Sequence, residues 1–369
     1  MNVQAVILVG GQATRLRPLT TNTSKAMVPV LNVPFLEHVI RHLARHGVSR
    51  VVLALQHLAQ PVADYFGDGS CFGTEIVHVV EDGPRGTAGA VKNVENHLDG
   101  RCLVLNGDIF TDLDFTAMID FHISNRAAAT IALTPVEDPT AYGLIETDAA
   151  GRVTRFLEKP AWDEVTTNMI NAGSYVLEPE VLGRIPPDVA VSIERETFPG
   201  LVADDRPVYA FQSTGYWMDA GTPEKYLQLH RDLLGGKSAW YSPRSPDEVT
   251  IGEGCAIDAT AQITGPAIIG DGCSIGPDVR LTGPVVIGPG CTIGAGSAVE
   301  DTVIWRDVRL GARVTLKSSI IANDCTLGDG SASDNAVAGE DVAVLGDNVT
   351  VGRGVRLEPG ARIEPGTTA

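Results

Sequence analysis

The sequence is poor in aromatic residues, which make up 5% of its 369 positions. It has no apolar stretch approaching the ~20 residues that a membrane helix requires. The N-terminal apolar run, residues 3–9, has no basic residue before it and ends in two glycines, unlike a secretory leader. None of the six cysteines forms a CxxC pair. We therefore expect no membrane span, no zinc site, and a reducing, cytoplasmic setting.

Positive charge is also scarce. The chain has 28 Lys and Arg residues against 46 Asp and Glu residues, and its net charge of −18 argues against nucleic acid as a partner. Residues 1–50 are the exception, because they hold six basic residues against one acid. A basic segment in an acidic protein fits a small anionic ligand, or else reflects chance variation of the surface.

Strand-like and helix-like segments alternate over the first 235 residues. This alternation predicts a mostly parallel sheet covered by helices on both faces. From residue 142 onward the predicted strands are shorter, and we expect them to extend the sheet and to line a pocket. The predicted strands are 3–9, 51–55, 101–105, 129–134, 144–147, 153–156, 170–177 and 208–211, and the predicted helices are 34–46, 87–98, 114–124 and 223–234.

After a linker, the apolar pattern changes to a period of six. Ten consecutive apolar residues follow this period from Ile251 to Trp305, and the series continues to residue 363 with five-residue steps after Trp305 and Leu316. Hexapeptide repeats are the signature of a β-helix in which three repeats form one coil. The predicted domains are residues 1–235, a linker of 236–248 and a β-helix of 249–365.

Two segments near the N-terminus carry the first chemical signal. The sequence LVGGQATRLRP starts at Leu8 and directly follows the first predicted strand. Glycines let backbone N–H groups approach a phosphate, and Arg15 can donate two hydrogen bonds to phosphate oxygens. Neither the P-loop pattern nor GxGxxG is present, so this segment alone is equally typical of an ordinary loop. The second segment, SKAMVPV, starts at Ser24 and contains Lys25.

Together the two segments resemble the signature GGxGTRLRPLT with PKPMxPV of the sugar-1-phosphate nucleotidyltransferases. The resemblance covers nearly the whole chain, and the mannose-1-phosphate guanylyltransferases look closest. It implies a Rossmann-like mixed α/β sheet domain and, after a linker, a left-handed parallel β-helix. The other matching pieces are Glu81, PRGTAG at 84–89, LNGD at 105–108, YG at 142–143, FLEKP at 156–160, INAG at 170–173, SIERE at 192–196 and GYWMDAG at 215–221.

The resemblance implies a reaction in which a sugar 1-phosphate attacks the α-phosphorus of an NTP and pyrophosphate leaves. Arg15 and Lys25 would then hold the triphosphate, and Lys159 would hold the sugar phosphate. Asp108 and Asp219 would bind Mg²⁺ through their oxygens. These five residues are the predicted catalytic set. The predicted nucleotide site is Gly10, Gly11, Thr14, Arg15, Lys25, Glu81, Gly86, Thr87 and Asp108, and the predicted sugar-phosphate site is Gly143, Glu158, Lys159, Asn171 and Gly173.

Three positions depart from the family pattern. Ala13 stands where the family usually has a third glycine; if that position needs a positive φ, alanine costs about 1 kcal/mol and the loop differs in shape. Ser24 and Ala26 replace the prolines that usually flank the lysine, so we expect a less rigid loop around Lys25.

The base preference is predicted from Glu81, five residues before Gly86, where thymidylyl and uridylyl relatives tend to carry a glutamine. A carboxylate only accepts hydrogen bonds. Guanine offers two adjacent donors, N1–H and the 2-amino group, whereas uracil and thymine present one N–H between two carbonyls. Glu81 therefore favours GTP, although a solvent-facing acid beside Asp82 is the plain alternative.

Three alternative functions stay open. A glucose-1-phosphate thymidylyl- or uridylyltransferase would differ mainly in its base and sugar. Acyl transfer by the β-helix normally needs a histidine base, and no histidine follows His230. A regulatory paralogue that only binds a nucleotide sugar usually lacks part of the lysine and aspartate set, which is complete here. We expect the β-helix to assemble chains into a homo-oligomer rather than to catalyse.

Overall fold

The structure is a computed structural model that describes residues 3–241, 245, 247–333 and 341–369, without the side chain of Glu158. The chain forms two compact units. The predicted boundary at residue 235 does not coincide with this division, and residues 242–244 and 246 of the predicted linker lie outside the described residues. The first unit comprises Met1–Gly11 and Leu36–Trp217, and the second comprises Gln12–Phe35 and Met218–Ala369.

The first unit is built on a nine-stranded mixed sheet. Val3–Val9 lies at its centre and pairs in parallel with Val48–Leu55 on one side and Cys102–Asn106 on the other. Val3–Val9 is almost continuously apolar because both faces of a central parallel strand are covered. Along the main path the strand order is Val153–Glu158, Gly143–Thr147, Met169–Leu177, Cys102–Asn106, Val3–Val9, Val48–Leu55 and Glu75–Val80; Ala129–Pro135 pairs with Met169–Leu177 and with Val208–Gln212.

Helices of the first unit begin and end at residues that the sequence marks. Asp114 caps the helix Phe115–Ser124 by accepting a 2.9 Å hydrogen bond from the Ala117 N–H. Gly47 follows the helix Phe35–Arg45 with a φ of 78°, a conformation that favours glycine. The α-helices of this unit are Phe35–Arg45, Ala59–Phe66, Gly86–Asn93, Phe115–Ser124, Pro179–Leu182 and Phe198–Ala203.

The predicted elements of this unit are mostly present, with shifted ends. The helix predicted at 87–98 is shorter, because Gly86–Asn93 is followed by a separate 3₁₀ turn, Glu95–His97. Five α-helices and strands of this unit were not predicted: the helices Ala59–Phe66, Pro179–Leu182 and Phe198–Ala203, the short strand Ile109–Thr111 and the edge strand Glu75–Val80. The edge strand contains His78 and is largely half-exposed, so it lacks the apolar run that identifies the central strands.

The second unit contains the predicted β-helix, whose short parallel strands stack coil on coil. Val249 pairs with Ala267, 18 residues on, as three hexapeptides require. Apolar side chains, mainly Ile, Leu and Val, fill the interior. The strands are Val249–Ile251, Ala256–Ile257, Gln262–Thr264, Ala267–Ile269, Ser274–Ile275, Arg280–Ile287, Thr292–Ile293, Ala298–Ile304, Arg309–Leu310, Thr315–Lys317, Ser319–Ile321, Thr326–Leu327, Ala332–Ser333, Ala343–Leu345, Thr350–Val351, Arg356–Leu357 and Arg362–Ile363.

One predicted repeat position is wrong. Ile287 pairs with Ile304, 17 residues on, so Ile304 continues the apolar column and the five-residue step comes before it rather than after Trp305. Ile304 belongs to the core of the β-helix and Trp305 does not, although the Trp305 side chain is fully buried. Because Ile304 and Trp305 are both apolar, the sequence alone does not decide which of them faces the interior of the coil. In the structure the smaller Ile304 does.

The remaining elements of the second unit lie at its N-terminal end and before the β-helix. The helix Pro223–Leu234 begins as predicted, with the Thr222 hydroxyl accepting a hydrogen bond from the Lys225 N–H. The other elements are the 3₁₀ turns Thr14–Leu16 and Lys25–Met27, the paired strands Pro29–Val30 and Val33–Pro34, and Trp217–Asp219, which begins in the first unit. No helix among the described residues is long and apolar enough to cross a membrane.

Candidate active site

In the first unit, three side-by-side parallel strands end at one edge of the sheet. Val9 pairs with Leu55 and Leu55 pairs with Val80, so the next residues, Gly10, Gln56 and Glu81, come together. A β-carbon built on Gly10 would lie 3.7 Å from Glu81 Oε2 and 3.8 Å from Gln56 Oε1. Ligands of open α/β sheets bind at this edge. Gln56 was missed by the sequence analysis, although its place directly after a predicted strand was a usable signal.

Glu81 is a buried carboxylate with an open acceptor. Its backbone N–H donates to Leu55 O at 2.8 Å, which fixes the residue against the sheet. Among the described residues, Oε1 has no hydrogen-bond donor. Burial raises the pKa of Glu81, and the positive charge of Arg85 partly opposes this shift. An unpaired buried acceptor is costly, so the site favours a ligand that donates N–H groups to it.

Gly11 lies in open space, whereas Gly86 is packed closely against the backbone of another segment. Gly11 is exposed, and a β-carbon on it would meet nothing within 4 Å. Gly86 has a φ of 66°, and its β-carbon would lie 2.5 Å from Val191 O, so only glycine fits. The Thr87 hydroxyl donates to Glu194 at 2.8 Å and accepts from the Ile193 N–H at 2.8 Å. Gly86 and Thr87 therefore hold the 191–196 segment, and direct contact with a nucleotide stays a prediction.

Asp108 lies in the turn after the strand Cys102–Asn106. The Gly107 N–H donates to Leu8 O at 3.0 Å, which keeps this turn beside the first strand. Gly173 has a φ of 68°, and a β-carbon on it would lie 2.8 Å from Asn106 Nδ2. Glycine at 173 thus lets the middle of the strand Met169–Leu177 approach the end of the strand Cys102–Asn106, two residues before Asp108.

Asn171 has the partners that an amide in an apolar strand requires. Its oxygen accepts from the Gly173 N–H at 2.9 Å, and its amino group donates to the Tyr175 hydroxyl at 2.9 Å. Tyr175 in turn donates to Glu194 at 3.2 Å. This chain of hydrogen bonds orients Asn171 beside Gly173. Its contact with a sugar stays a prediction.

Lys159 follows a β-ladder that contains two other predicted residues. Gly143 pairs with Glu158 across this ladder, and the Glu158 side chain lies outside the described part of the structure. The Lys159 N–H donates to Tyr142 O at 2.9 Å, its φ is 49°, and its side chain is exposed. An exposed ammonium on a fixed turn is available to an anion.

Two aromatic residues connect the Lys159 turn with the Asn171 segment. The Tyr142 and Trp217 rings meet edge to face at 5.6 Å. The Trp217 indole N–H donates to Ala172 O at 3.0 Å. Tyr142 and Trp217 therefore hold Lys159 and Asn171 on one connected surface of the first unit.

In the second unit, three cationic side chains surround Asp219. Arg15 lies 3.7 Å, Lys25 3.8 Å and Lys225 3.8 Å from the carboxylate. The side chains of Lys25 and Asp219 are 12% and 14% exposed, whereas that of Arg15 is 65% exposed. Lys225 was missed by the sequence analysis, because it reads as a solvated residue in the first turn of a helix. The cluster combines one anion with three cations, which suits a polyanionic ligand.

The Arg15 loop depends on two positions near this cluster. Ala13 adopts a left-handed conformation, with a φ of 46°, at the position where the resembled family usually has its third glycine. The Thr20 hydroxyl and the Leu16 N–H both donate to Ala13 O, at 2.8 and 3.0 Å, and secure the turn. A β-carbon on Gly221 would lie 2.8 Å from both Arg15 and Asp219, so glycine leaves room for that pair. Thr14 is exposed at the start of the 3₁₀ turn.

Asp219, one of the two predicted Mg²⁺ ligands, has a carboxylate oxygen that could bind a cation. Asp219 Oδ1 is buried and has no hydrogen-bond donor among the described residues, which fits an oxygen that receives a cation. No group of three or more His, Cys, Asp or Glu residues in the described ranges could hold a metal ion alone. This arrangement fits Mg²⁺, which usually takes one or two carboxylates together with water and substrate phosphates.

Comparisons with known proteins identify the family. The family model "Nucleotidyl transferase" matches residues 4–235, and the model "GMPPB C-terminal domain" matches residues 263–345. A mannose-1-phosphate guanylyltransferase of Mycobacterium tuberculosis is 40% identical over 269 residues, 72% of this chain and 74% of that protein. A UTP–glucose-1-phosphate uridylyltransferase of Synechocystis is 35% identical over 246 residues, 63% of each chain.

A solved structure agrees with these matches. HddC from Yersinia pseudotuberculosis, complexed with GMP-PN, is 28% identical, with a TM-score of 0.54 over 62% of this chain and 97% of HddC. The sequence-based identification is thereby confirmed, and the chain belongs to the nucleotidyl transferase family.

Proposed function

We propose that this protein transfers GMP from GTP to mannose 1-phosphate, which forms GDP-mannose and releases pyrophosphate. The observation that carries the choice of base is the buried Glu81 carboxylate, whose Oε1 has no donor among the described residues. An ionised carboxylate can accept the guanine N1–H and 2-amino hydrogens together. The carbonyl oxygens of uracil or thymine would be repelled by it, so GTP is favoured.

The cationic residues supply the charge that the reaction needs. The attacking sugar phosphate and the triphosphate are both anions, so cations must hold them and offset the charge that develops in the transition state. Arg15 and Lys25 beside Asp219 would hold the triphosphate, and the exposed Lys159 would hold the sugar phosphate. Lys225 adds a third cation to the triphosphate group.

Mg²⁺ is the proposed cofactor, with Asp219 Oδ1, which has no hydrogen-bond donor among the described residues, as one protein ligand. Bound there, the ion would neutralise phosphate oxygens and draw charge away from the α-phosphorus. Asp108 as the second ligand stays a prediction from the family resemblance.

A second candidate is uridylyl transfer, because the matched Synechocystis relative is named for UTP and glucose 1-phosphate. A matrix of pyrophosphate-release assays, with GTP, UTP and dTTP against mannose 1-phosphate and glucose 1-phosphate, separates the candidates. We expect the GTP and mannose 1-phosphate pair to have the highest kcat/KM. A preference for UTP or dTTP would contradict the base assignment, and no turnover with any pair would indicate a regulatory paralogue.

The Glu81→Gln variant tests the base contact itself. The glutamine keeps the size of the side chain but replaces one acceptor oxygen with a donor, so the preference for GTP over UTP should fall about 10- to 100-fold. Asp82→Asn is the matched control, because Asp82 is adjacent, acidic and exposed. Equal effects of the two substitutions would show that Glu81 does not contact the base.

We also propose that chains associate through the first coil of the β-helix. Val249–Ile251 is the outermost strand in its sheet order, and the Ile251 side chain is 48% exposed. Among the described residues no strand pairs with the outer edge of Val249–Ile251, and such a solenoid end offers backbone groups and apolar surface to a second copy. Light scattering should report a smaller particle for Ile251→Lys. Val189→Lys, at a residue 49% exposed in the first unit, should leave the mass unchanged.

A further inference from the structure

A buried hydrogen-bond chain joins the β-helix to the segment that carries Lys25. Trp305 lies in the β-helix, Tyr226 in the helix Pro223–Leu234, and Pro29 just after the 3₁₀ turn Lys25–Met27. The Trp305 indole N–H donates to the Tyr226 hydroxyl at 3.0 Å. The Tyr226 hydroxyl donates to Pro29 O. All of these residues belong to the second compact unit.

The donor and acceptor in each of these hydrogen bonds follow from the chemistry of the indole. The indole can only donate, so the Tyr226 oxygen must accept from it and its single hydrogen is left for Pro29 O. Tyr226 is 1% exposed, and burial raises the pKa of its phenol, which keeps the hydroxyl protonated as a donor. Trp305 is the residue displaced from the apolar column by Ile304, and its indole is therefore directed to a partner outside the coil interior.

The strand pair after Lys25 has two further attachments. The Leu31 N–H donates to His230 Nε2 at 3.3 Å, so the proton is on Nδ1, which donates to Tyr226 O at 2.9 Å. Asn32 donates from its amide to Ile287 O of the β-helix at 2.8 Å. The turn at Leu31 and Asn32 has positive φ at both residues and thus presents these groups outward from the strand pair.

The same helix also lies next to Asp219. Lys225, one residue before Tyr226, is 3.8 Å from the Asp219 carboxylate. Arg231, two turns on, forms a bidentate ion pair with Asp301 of the β-helix, and Ser318 donates to the same carboxylate at 2.7 Å. The helix is therefore fixed to the β-helix at one end and contacts the Asp219 cluster at the other.

We propose that the β-helix positions Lys25 for catalysis, with Tyr226 as the central positioning residue and Trp305 and Asn32 as its supports. This inference rests on the proposed function, because it assigns Lys25 to the triphosphate. It changes the expectation that the β-helix only assembles chains. Lys25 has a compact charge on a flexible side chain, so the backbone of its turn must be held for the ammonium to meet the transition state.

A double-mutant cycle between Tyr226→Phe and Lys25→Ala tests the proposal on the full-length chain. Phenylalanine keeps the ring but removes the hydroxyl that donates to Pro29. We expect Tyr226→Phe to lower kcat with GTP and mannose 1-phosphate about 10-fold, while KM for mannose 1-phosphate is unchanged. In the Lys25→Ala background the same substitution should lower kcat less than about 2-fold, because its effect acts through Lys25. Tyr241→Phe, at a half-buried tyrosine of the same unit, is the control and should behave as wild type.

Each outcome has a distinct meaning. Equal effects of Tyr226→Phe with and without Lys25 would overturn the positioning role, because a general structural defect does not depend on Lys25. Wild-type kinetics for Tyr226→Phe would overturn it as well. If Tyr226→Phe does not fold, the same cycle is run with Asn32→Gly, which keeps the positive φ and removes the contact to Ile287. A wild-type chain without pyrophosphate release would instead contradict the proposed function.

Discussion

The two compact units fix their candidate site residues in different ways. In the first unit, Gly10, Gln56 and Glu81 each follow a parallel strand, so the register of the sheet determines their relative positions. In the second unit, Lys25 lies in a 3₁₀ turn that belongs to no sheet, and its side chain lies 3.8 Å from the Asp219 carboxylate. Positions set by backbone pairing tolerate side-chain changes nearby, whereas positions set by single side-chain contacts depend on each of them.

The units also bury two similar carboxylates in unlike surroundings. Glu81 and Asp219 each have one buried oxygen without a donor among the described residues. Burial raises the pKa of Glu81, whereas three cations lie within 4 Å of Asp219. The first carboxylate therefore suits the N–H donors of a base, and the second belongs to a cluster that suits phosphates and a metal ion.

The largest effect on kcat is expected when the second unit loses the charge of Lys25, which is proposed to act in the transition state. Lys25→Ala should lower kcat about 10²- to 10³-fold, because a nearly buried ammonium acts in a weakly screened site. Lys225→Ala should lower kcat by less than about 10-fold, because its side chain is 37% exposed and its charge is screened.

Steady-state pyrophosphate release with GTP and mannose 1-phosphate measures both variants, and circular dichroism checks that each is folded. The distance from Asp219 is 3.8 Å for either lysine, so this pair isolates burial from distance. Equal losses in the two variants would contradict the special role given to Lys25.

In the first unit, a smaller effect is expected: protonation of the Glu81 carboxylate should weaken the preference for GTP over UTP. Its folded pKa is raised above 4.5, so on acidification it takes up a proton at a higher pH than an exposed glutamate does. The protonated group cannot accept two hydrogens from guanine. The ratio of kcat/KM for GTP to that for UTP should therefore fall on acidification, by at most about 10-fold per pH unit.

The ratio is the right measurement because both nucleotides carry the same titrating triphosphate. In Glu81→Gln the ratio should not depend on pH. A pH-dependent ratio in that variant would assign the titration to another group.

The strands and repeats of the two units were easier to predict from the sequence than the side-chain contacts within them. Val3–Val9 and the hexapeptide columns were predicted because a run of apolar residues and a fixed period both report burial directly. The strand Glu75–Val80 was missed because it lies at the edge of the sheet. An edge strand needs one apolar face at most, so its sequence lacks the run of apolar residues that marks a central strand. Glu81 was thus selected from the family resemblance without the strand that places it.

Long-range side-chain partners were beyond what local patterns contain. Lys225 approaches Asp219 from a separate helix that begins after the Thr222 cap, and the hydrogen bond of Trp305 joins residues 79 positions apart. Ile304 and Trp305 are both apolar, so the period alone could not decide which of them enters the coil. The register of neighbouring strands decides it.

Acidification should also separate the stabilities of the units. Burial lowers the pKa values of His42, His46 and His122, all in the first unit. Their folded pKa values lie below 6.5, so stability is full above that pH and is lost as the pH falls through it. Burial raises the pKa of Asp347 in the second unit, which gives the opposite sign.

Native-state hydrogen exchange from about pH 7.5 to about pH 5.5 should show protection decreasing more in the first unit than in the second, where His230, whose Nε2 accepts a hydrogen bond, is the buried histidine. His42→Gln keeps a donor for Leu113 O and should reduce the decrease. His97→Gln, at an exposed histidine, should leave it unchanged. Parallel loss in both units would contradict the assignment to these histidines.

The smallest effect is expected at Ala13, where the second unit departs from its family. Ala13 has a φ of 46°, which costs an L-residue about 1–2 kcal/mol. Glycine removes this strain but loses about 0.5–1 kcal/mol of conformational entropy on folding. Ala13→Gly should therefore raise the free energy of unfolding by about 0.5 kcal/mol, measured by urea denaturation. Ala26→Gly, at a buried position with ordinary φ, should lower it by about 1 kcal/mol, and a loss at both positions would show that Ala13 is not strained.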